Sequence, residues 1–370
     1  MKIERVELFT VRLPLKHPYE TSGSRETHQT HVLARVESEG AVGWGESVAP
    51  EQPWYSGETP ATVWYVLDEI VIPRLLKSDL AAPSDTDEQL AWIREHRMAK
   101  ATIEMAIWDL FAKREGVSLS TLLGGTRDRI LCGVAIGIHP SLEALFETIE
   151  HELKGGYQRV KLKIKPGADG HVAEAVRNRF PELQFMLDAN SAYTLADLPL
   201  FKRIDAYHPM MVEQPLAYDD IVDHATLQRE IATPVCLDES IHTSDDARKA
   251  IEIAATKIIN IKPGRVGGHT SAKRIHDVCA EHQIPVWCGG MLEFGIGRAH
   301  NVHLASLPNF RLPGDVSASE RYFETEIIGE PFTVDPDGTM KVPTGPGIGV
   351  TVLEDVIRKL ALQQKEYRPE

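Results

Sequence analysis

Val160-Lys161-Leu162-Lys163, Phe185-Met186-Leu187-Asp188, Met210-Met211-Val212-Glu213, Val235-Cys236-Leu237-Asp238 and Ile258-Ile259-Asn260-Ile261-Lys262 are five short apolar runs, each ending in a charged residue. The terminal charges are separated by 188−163 = 25, 213−188 = 25, 238−213 = 25 and 262−238 = 24 residues. One such interval fits one βα unit, a buried parallel strand followed by a helix that returns to its start. Residues that end successive strands of a closed barrel converge on one mouth, where barrel enzymes carry their chemistry. Further runs at 131–138, 285–288 and, weakly, near Leu312 bring the units to eight. The spacing predicts an α/β chain built on a modified (β/α) TIM-type barrel. The competing architecture, an open doubly wound sheet, lacks its Gly-rich phosphate turn after a first strand.

Upstream of the barrel the pattern changes. Polar and apolar residues alternate from Lys2 to Val11 and from His31 to Glu37, and Val42-Gly43-Trp44-Gly45-Glu46 follows the Gly40 turn. This reads as an antiparallel meander. Helical stretches follow at 60–76 and 98–114, the second with Ile103, Ala106, Ile107, Leu110 and Phe111 on one face. Gly116 and Gly124-Gly125 end that helix and mark a boundary. The expected organisation is an α+β N-terminal capping domain at 1–125, the barrel at 126–323, and a segment at 324–370 that ends in a helical stretch and returns to the capping domain.

Composition narrows the function classes. A formal charge of −14 spread without long single-sign runs argues against nucleic acid or an anionic membrane as partner. No run approaches a membrane span, and Met1-Lys2-Ile3-Glu4-Arg5-Val6-Glu7, which carries acidic residues where a basic segment would be needed, does not read as a signal peptide. The four cysteines have neither CxxC spacing nor the density of a disulfide scaffold, so buried thiols in a reducing cytoplasm are expected.

Taken singly, Asp188 reads equally well as a helix cap and Glu213 as a loop carboxylate. Together, Asp188, Glu213 and Asp238 at one barrel mouth repel one another unless a cation neutralises them. Three oxygen ligands without nearby His or Cys select a hard ion, Mg2+ or in its place Mn2+. Lys161 and Lys163 face the same way because strand side chains alternate. A buried ammonium beside a second cation has its proton affinity lowered, which suits a lysine to act as a base.

The set Lys161-Leu162-Lys163, Asp188-Ala189-Asn190, Glu213-Gln214-Pro215, Asp238-Glu239-Ser240 and Asn260-Ile261-Lys262-Pro263 resembles the muconate-lactonizing-enzyme subgroup of the enolase superfamily. Pro263-Gly264-Arg265-Val266-Gly267-Gly268, Trp287-Cys288-Gly289-Gly290-Met291-Leu292-Glu293 and Arg298-Ala299-His300-Asn301 are similar to its o-succinylbenzoate synthase and N-succinylamino acid racemase family. The resemblance implies acid/base roles for Lys163 and Lys262 on opposite faces of a small carboxylate substrate. It implies Mg2+ held by Asp188, Glu213 and Asp238, with Lys161 tuning Lys163 and Arg265 modulating Lys262. Two stretches match the family's lid loops, one with Tyr19 and one with Tyr55. Asn190, Met291 and Glu293 complete the expected substrate-facing set. A homo-oligomer in the cytoplasm is also expected.

The reaction itself stays open at this stage. Two lysines permit racemisation or a one-base syn dehydration of the kind used in menaquinone biosynthesis, and a muconate-type cycloisomerase or a silent binding relative remain alternatives. A mandelate-type racemase is disfavoured because Pro285-Val286-Trp287-Cys288 has no His. A dipeptide epimerase would show Asp-x-Asp where this chain has Asp315-Val316-Ser317.

Overall fold

A computed structural model describes residues 1–167 and 169–369. The alternating N-terminal segments form strands β1 (Arg5–Glu20), β2 (Arg25–Ser38) and β3 (Ala41–Glu46) of an antiparallel sheet. Both β1 and β2 run further than the alternation suggested. Tyr19 pairs with Glu26, so the first expected lid loop is the tip of a projecting hairpin. Its turn is closed by Thr21, whose hydroxyl accepts the Gly23 and Ser24 N–H groups at 3.2 and 3.1 Å.

The helix Arg97–Glu115 lies across this sheet. Glycines make the approach possible: a Cβ on Gly43 would collide with the Ala106 carbonyl, and one on Gly45 with that of Thr102. The stretch expected as one helix over 60–76 is instead the helix Pro60–Val66, a π-helical turn at Leu67–Val71, and a last turn at Ile72–Leu75. A π-turn admits one extra residue and shifts the apolar face that follows it.

From residue 129 the chain builds β4 (Arg129–Leu131), then β5 (Gly133–Ile136), β6 (Arg159–Lys163), β7 (Gln184–Asp188), β8 (Val212–Glu213), β9 (Val235–Leu237), β10 (Ile258–Ile261) and β11 (Val286–Cys288). Among the described residues β5 to β11 form a seven-stranded parallel sheet in sequence order. The weak eighth run forms no ladder. Phe310 bridges to Val286 of β11 and Gly314 to Cys132 beside β5, so single parallel bridges complete the circle. Pro313, which lacks an N–H, lies between those two bridges.

Met186, Met211, Cys236, Ile258 and Trp287 fill the barrel interior as a separate apolar cluster below the mouth. The remaining strand pairs join distant segments. β12 (Thr339–Lys341) pairs with β4, and β13 (Ala361–Tyr367) pairs antiparallel with β1 at the edge of the first sheet. The tail therefore contributes both a helix, Glu354–Leu360, and a strand. Ala-Leu-Gln-Gln-Lys-Glu is good helix-forming sequence; an open strand edge overrides that weak local preference. All four cysteines are buried and free, and among the described residues no helix is long and apolar enough to cross a membrane.

Candidate active site

Registration of the sheet brings the predicted charges side by side. Lys163 pairs with Asp188, and Asp188 with Glu213. Lys161 Nζ sits 3.1 Å from Asp188, 3.1 Å from Glu213 and 2.5 Å from Asp315. Below it lies the Trp287 ring, with its centroid 5.1 Å from Nζ. Lys163 Nζ donates to Asp188 Oδ2 and Asn190 Oδ1, both at 2.6 Å.

Across the mouth, Lys262 Nζ is 2.8 Å from Asp238 Oδ2 and 3.6 Å from Met291 Sδ. Arg265 holds the other Asp238 oxygen and donates to the Ile241 and Asn260 carbonyls at 3.1 and 2.7 Å. The strand-end turns are also tied to each other. Gln214 accepts the Asp238 N–H at 3.0 Å and donates to Ser240 at 2.6 Å.

The two expected acid/base lysines differ electrostatically. Burial lowers the proton affinity of Lys163, and the neighbouring Lys161 adds to that effect. For Lys262 burial also works downward, yet buried Tyr55 and the nearby glutamates outweigh it and raise the value. Lys161 is held well above the ordinary lysine range because Asp315, Glu213 and Asp188 overcome its burial.

Eight of the twelve expected site residues line one cleft: Tyr19, Tyr55, Lys161, Lys163, Asn190, Lys262, Met291 and Glu293. Asp188, Glu213, Asp238 and Arg265 lie behind the lysines, each no more than 2% exposed. Glu293 turns back on its own loop and accepts the Met291 N–H at 2.8 Å.

Sequence reasoning missed Asp315, Glu239 and Asn260. Asp315 joins Lys161 to Arg159, whose Nη1 is 2.7 Å away, and these two cations overcome its burial to lower its pKa to about 2. A signal for it exists, since 315−262 = 53 is close to two βα intervals. Asn260 donates to Glu213 at 2.7 Å, and Glu239 accepts from Asn190 at 3.1 Å.

The donor chemistry fits a hard divalent cation. Asp188, Glu213, Asp238 and Glu239 are buried oxygen donors, and Glu239 Oε2 and Asn260 Oδ1 are buried without a hydrogen-bond partner. Burial, then the charge of Asp188, raises the pKa of Glu213 and pushes that of Glu239 up to about 7. This is the mark of carboxylates crowded beyond what the lysines neutralise. Among the described residues no three acidic, His or Cys side chains form a closed cage, because Lys161, Lys163, Lys262 and Arg265 occupy several of the carboxylate oxygens.

Known proteins share this plan. Residues 3–124 match the mandelate racemase / muconate lactonizing enzyme N-terminal domain, and residues 145–356 the enolase C-terminal domain-like family. An o-succinylbenzoate synthase of Geobacillus kaustophilus is 51% identical over 353 residues, 95% of this chain and 94% of that protein. An N-succinylamino acid racemase of Thermus thermophilus is 48% identical over 365 residues, 99% of each chain. Muconate cycloisomerase 1 of Rhodococcus opacus stands further off, at 27% identity over 97% of this chain and 98% of that protein. A crystal structure of an enolase superfamily member from Listeria innocua superposes with a TM-score of 0.96 at 40% identity, covering 100% of both chains. With both domains matched and this similarity running the length of the chain, the protein belongs to the mandelate racemase and muconate lactonizing enzyme family of the enolase superfamily.

Proposed function

We propose that this enzyme removes the α-proton of a carboxylate substrate with Mg2+ as cofactor, acting as an N-succinylamino acid racemase, an o-succinylbenzoate synthase, or both. The observation that carries the reading is the placement of Lys163 and Lys262. Lys163 ends the second strand of the seven-stranded sheet and Lys262 directly follows the sixth, and so the two approach a ligand in the mouth from opposite sides.

Asp188, Glu213 and Asp238 would hold Mg2+, which when bound supplies positive charge for the substrate carboxylate. Lys163, with its lowered proton affinity, takes the α-proton from one face. Lys262 starts protonated and returns a proton to the other face, completing racemisation. In dehydration Lys163 alone takes the α-proton and delivers it to the departing hydroxyl, while Lys262 remains a cation beside the developing charge. Trp54 and Tyr55 line the cleft, where apolar ring surface disfavours water beside the reacting atoms. The four buried thiols support a cytoplasmic setting, and exposed Tyr218 and Val222, four residues apart, support a homo-oligomer that covers them.

The test is α-proton exchange in deuterated buffer with each enantiomer of an N-succinylamino acid. Lys163→Ala and Lys262→Ala should each stop racemisation, whereas Lys163→Arg and Lys262→Arg should each spare exchange for a different enantiomer. Full racemisation by Lys163→Ala would overturn the mechanism. Loss of exchange for both enantiomers alike in each Arg variant would remove the two-face assignment.

A further inference from the structure

Lys262 is followed by the short turn Pro263–Val266, then Gly267 and Gly268, and then the helix His269–Glu281. The first N–H groups of that helix need acceptors. They find them in the capping layer. His269 N donates to Glu104 Oε2 at 2.7 Å and Thr270 N to Glu104 Oε1 at 2.8 Å, with Glu104 carried on the helix Arg97–Glu115. Trp108 Nε1 donates to the same carboxylate at 2.7 Å. Glu104 is fully buried, and Gly268, at φ 115, is packed so closely that a Cβ there would collide with the Glu104 carboxylate.

One strand further round the barrel the arrangement repeats. Glu46, the last residue of β3, accepts the Phe294 N–H through Oε1 and the Gly297 N–H through Oε2, both at 2.7 Å. It thereby caps the helix Gly295–Leu304. His31 Nδ1 is 2.7 Å from Glu46, and the His31 ring stacks on Phe294 with centroids 4.4 Å apart. The pinned loop includes Leu292, at φ 57, and Met291, whose sulfur touches Lys262.

The Lys163 arm meets the capping layer differently. Two residues beyond Lys163, Lys165 forms a 3.3 Å ion pair with Glu20 whose side chains are 45% and 37% exposed, and the Ser22 hydroxyl donates to the Ala189 carbonyl at 3.2 Å, one residue before Asn190. A buried carboxylate on two backbone N–H groups is a strong, directional contact, whereas an exposed ion pair and one neutral hydroxyl bond hold less.

We propose that Glu104 and Glu46 are positioning residues through which the capping layer sets Lys262, and not Lys163, for proton transfer. This rests on the two-lysine reading above. The carboxylates touch neither substrate nor lysine. They act by fixing the loop that follows Lys262 and the neighbouring loop whose Met291 touches it, so one face of the reaction depends on the seam between layers.

The experiment is solvent-deuterium exchange by full-length Glu104→Gln and Glu46→Gln with each enantiomer of an N-succinylamino acid, with Tm recorded for both. Glutamine keeps the shape but turns an N–H2 group toward a backbone N–H. For the enantiomer whose exchange Lys262→Arg abolishes, kcat should fall by about tenfold to hundredfold with KM little changed, while the other enantiomer stays within about twofold of the unmodified enzyme. Equal losses on both faces, as general destabilisation would give, or no loss on either, overturn the inference. Should Glu104→Gln not fold, Trp108→Phe removes one donor from the same carboxylate. It should produce the same one-sided loss on a smaller scale, and a symmetrical effect there also overturns the inference. Exchange absent from the unmodified enzyme would instead overturn the functional reading, and this inference with it.

Discussion

Tyr55 Oη accepts a hydrogen bond from Lys262 Nζ at 3.0 Å and donates one to Asp238 at 3.2 Å, although 207 residues separate tyrosine from lysine. Burial raises the phenol's pKa, so the hydroxyl keeps its proton for Asp238. Read from sequence alone, Tyr55 is a lid aromatic remote from the lysines, whose loss would chiefly weaken substrate binding. The structure puts its hydroxyl at the centre. Tyr55→Phe retains the ring, so KM should move little while kcat falls by about tenfold, as for loss of a hydrogen bond to charged groups. Steady-state kinetics that showed only a KM change would return Tyr55 to the role of a lid.

Chelation by EDTA should abolish turnover, and added Mg2+ should restore it, with Mn2+ as substitute. Asp238→Asn should weaken Mg2+ binding in calorimetric titration and abolish turnover. It should also lower Tm, because Asp238 balances both Lys262 and Arg265. Unchanged metal affinity together with unchanged activity would remove Asp238 from the ligand set.

Asp315 stands between two buried cations, Lys161 at 2.5 Å and Arg159 at 2.7 Å. Asp315→Asn leaves buried Arg159 without its carboxylate, while Lys161 keeps Asp188 and Glu213, and the expected loss of stability is about 3 kcal/mol. Urea unfolding measures it. A midpoint shift equivalent to less than about 1 kcal/mol would mean that solvent or neighbouring carboxylates already neutralise the pair.

His303 should make the fold sensitive to acid. Its Nδ1 accepts the Ser120 N–H at 3.0 Å and its Nε2 donates to the Ile348 carbonyl at 3.0 Å, which leaves no room for a second proton. Burial lowers its pKa to about 4. In the unfolded chain it protonates near 6.5, so stability is intact above that pH and is lost as pH falls toward 4, by up to about 3 kcal/mol for this one group. Gln can make both hydrogen bonds without titrating. His303→Gln should therefore lose less Tm than the unmodified protein between pH 7 and pH 4.5, and parallel Tm curves would refute the assignment. Glu104, raised by burial to about 7, contributes with the opposite sign over part of that window, so the comparison between variants is the informative one.

What the sequence by itself determined is the part governed by local repetition. A strand alternates its side chains with period two, which puts Lys161 and Lys163 on one face, and a βα unit repeats at about 25 residues, which brings Asp188, Glu213, Asp238 and Lys262 to one mouth. Asp315 fell in phase too, but its run joins the barrel by isolated bridges around Pro313 and lacks the apolar signature of a strand. The tertiary structure alone decided which distant groups meet: Tyr55 on Lys262, β13 along β1, and Glu104 and Glu46 over the starts of two barrel helices. Hydrophobic periodicity is written into neighbouring residues because backbone geometry repeats locally. The partner of a buried carboxylate or an open strand edge depends on how two layers pack, and nothing within a few residues of either encodes that contact.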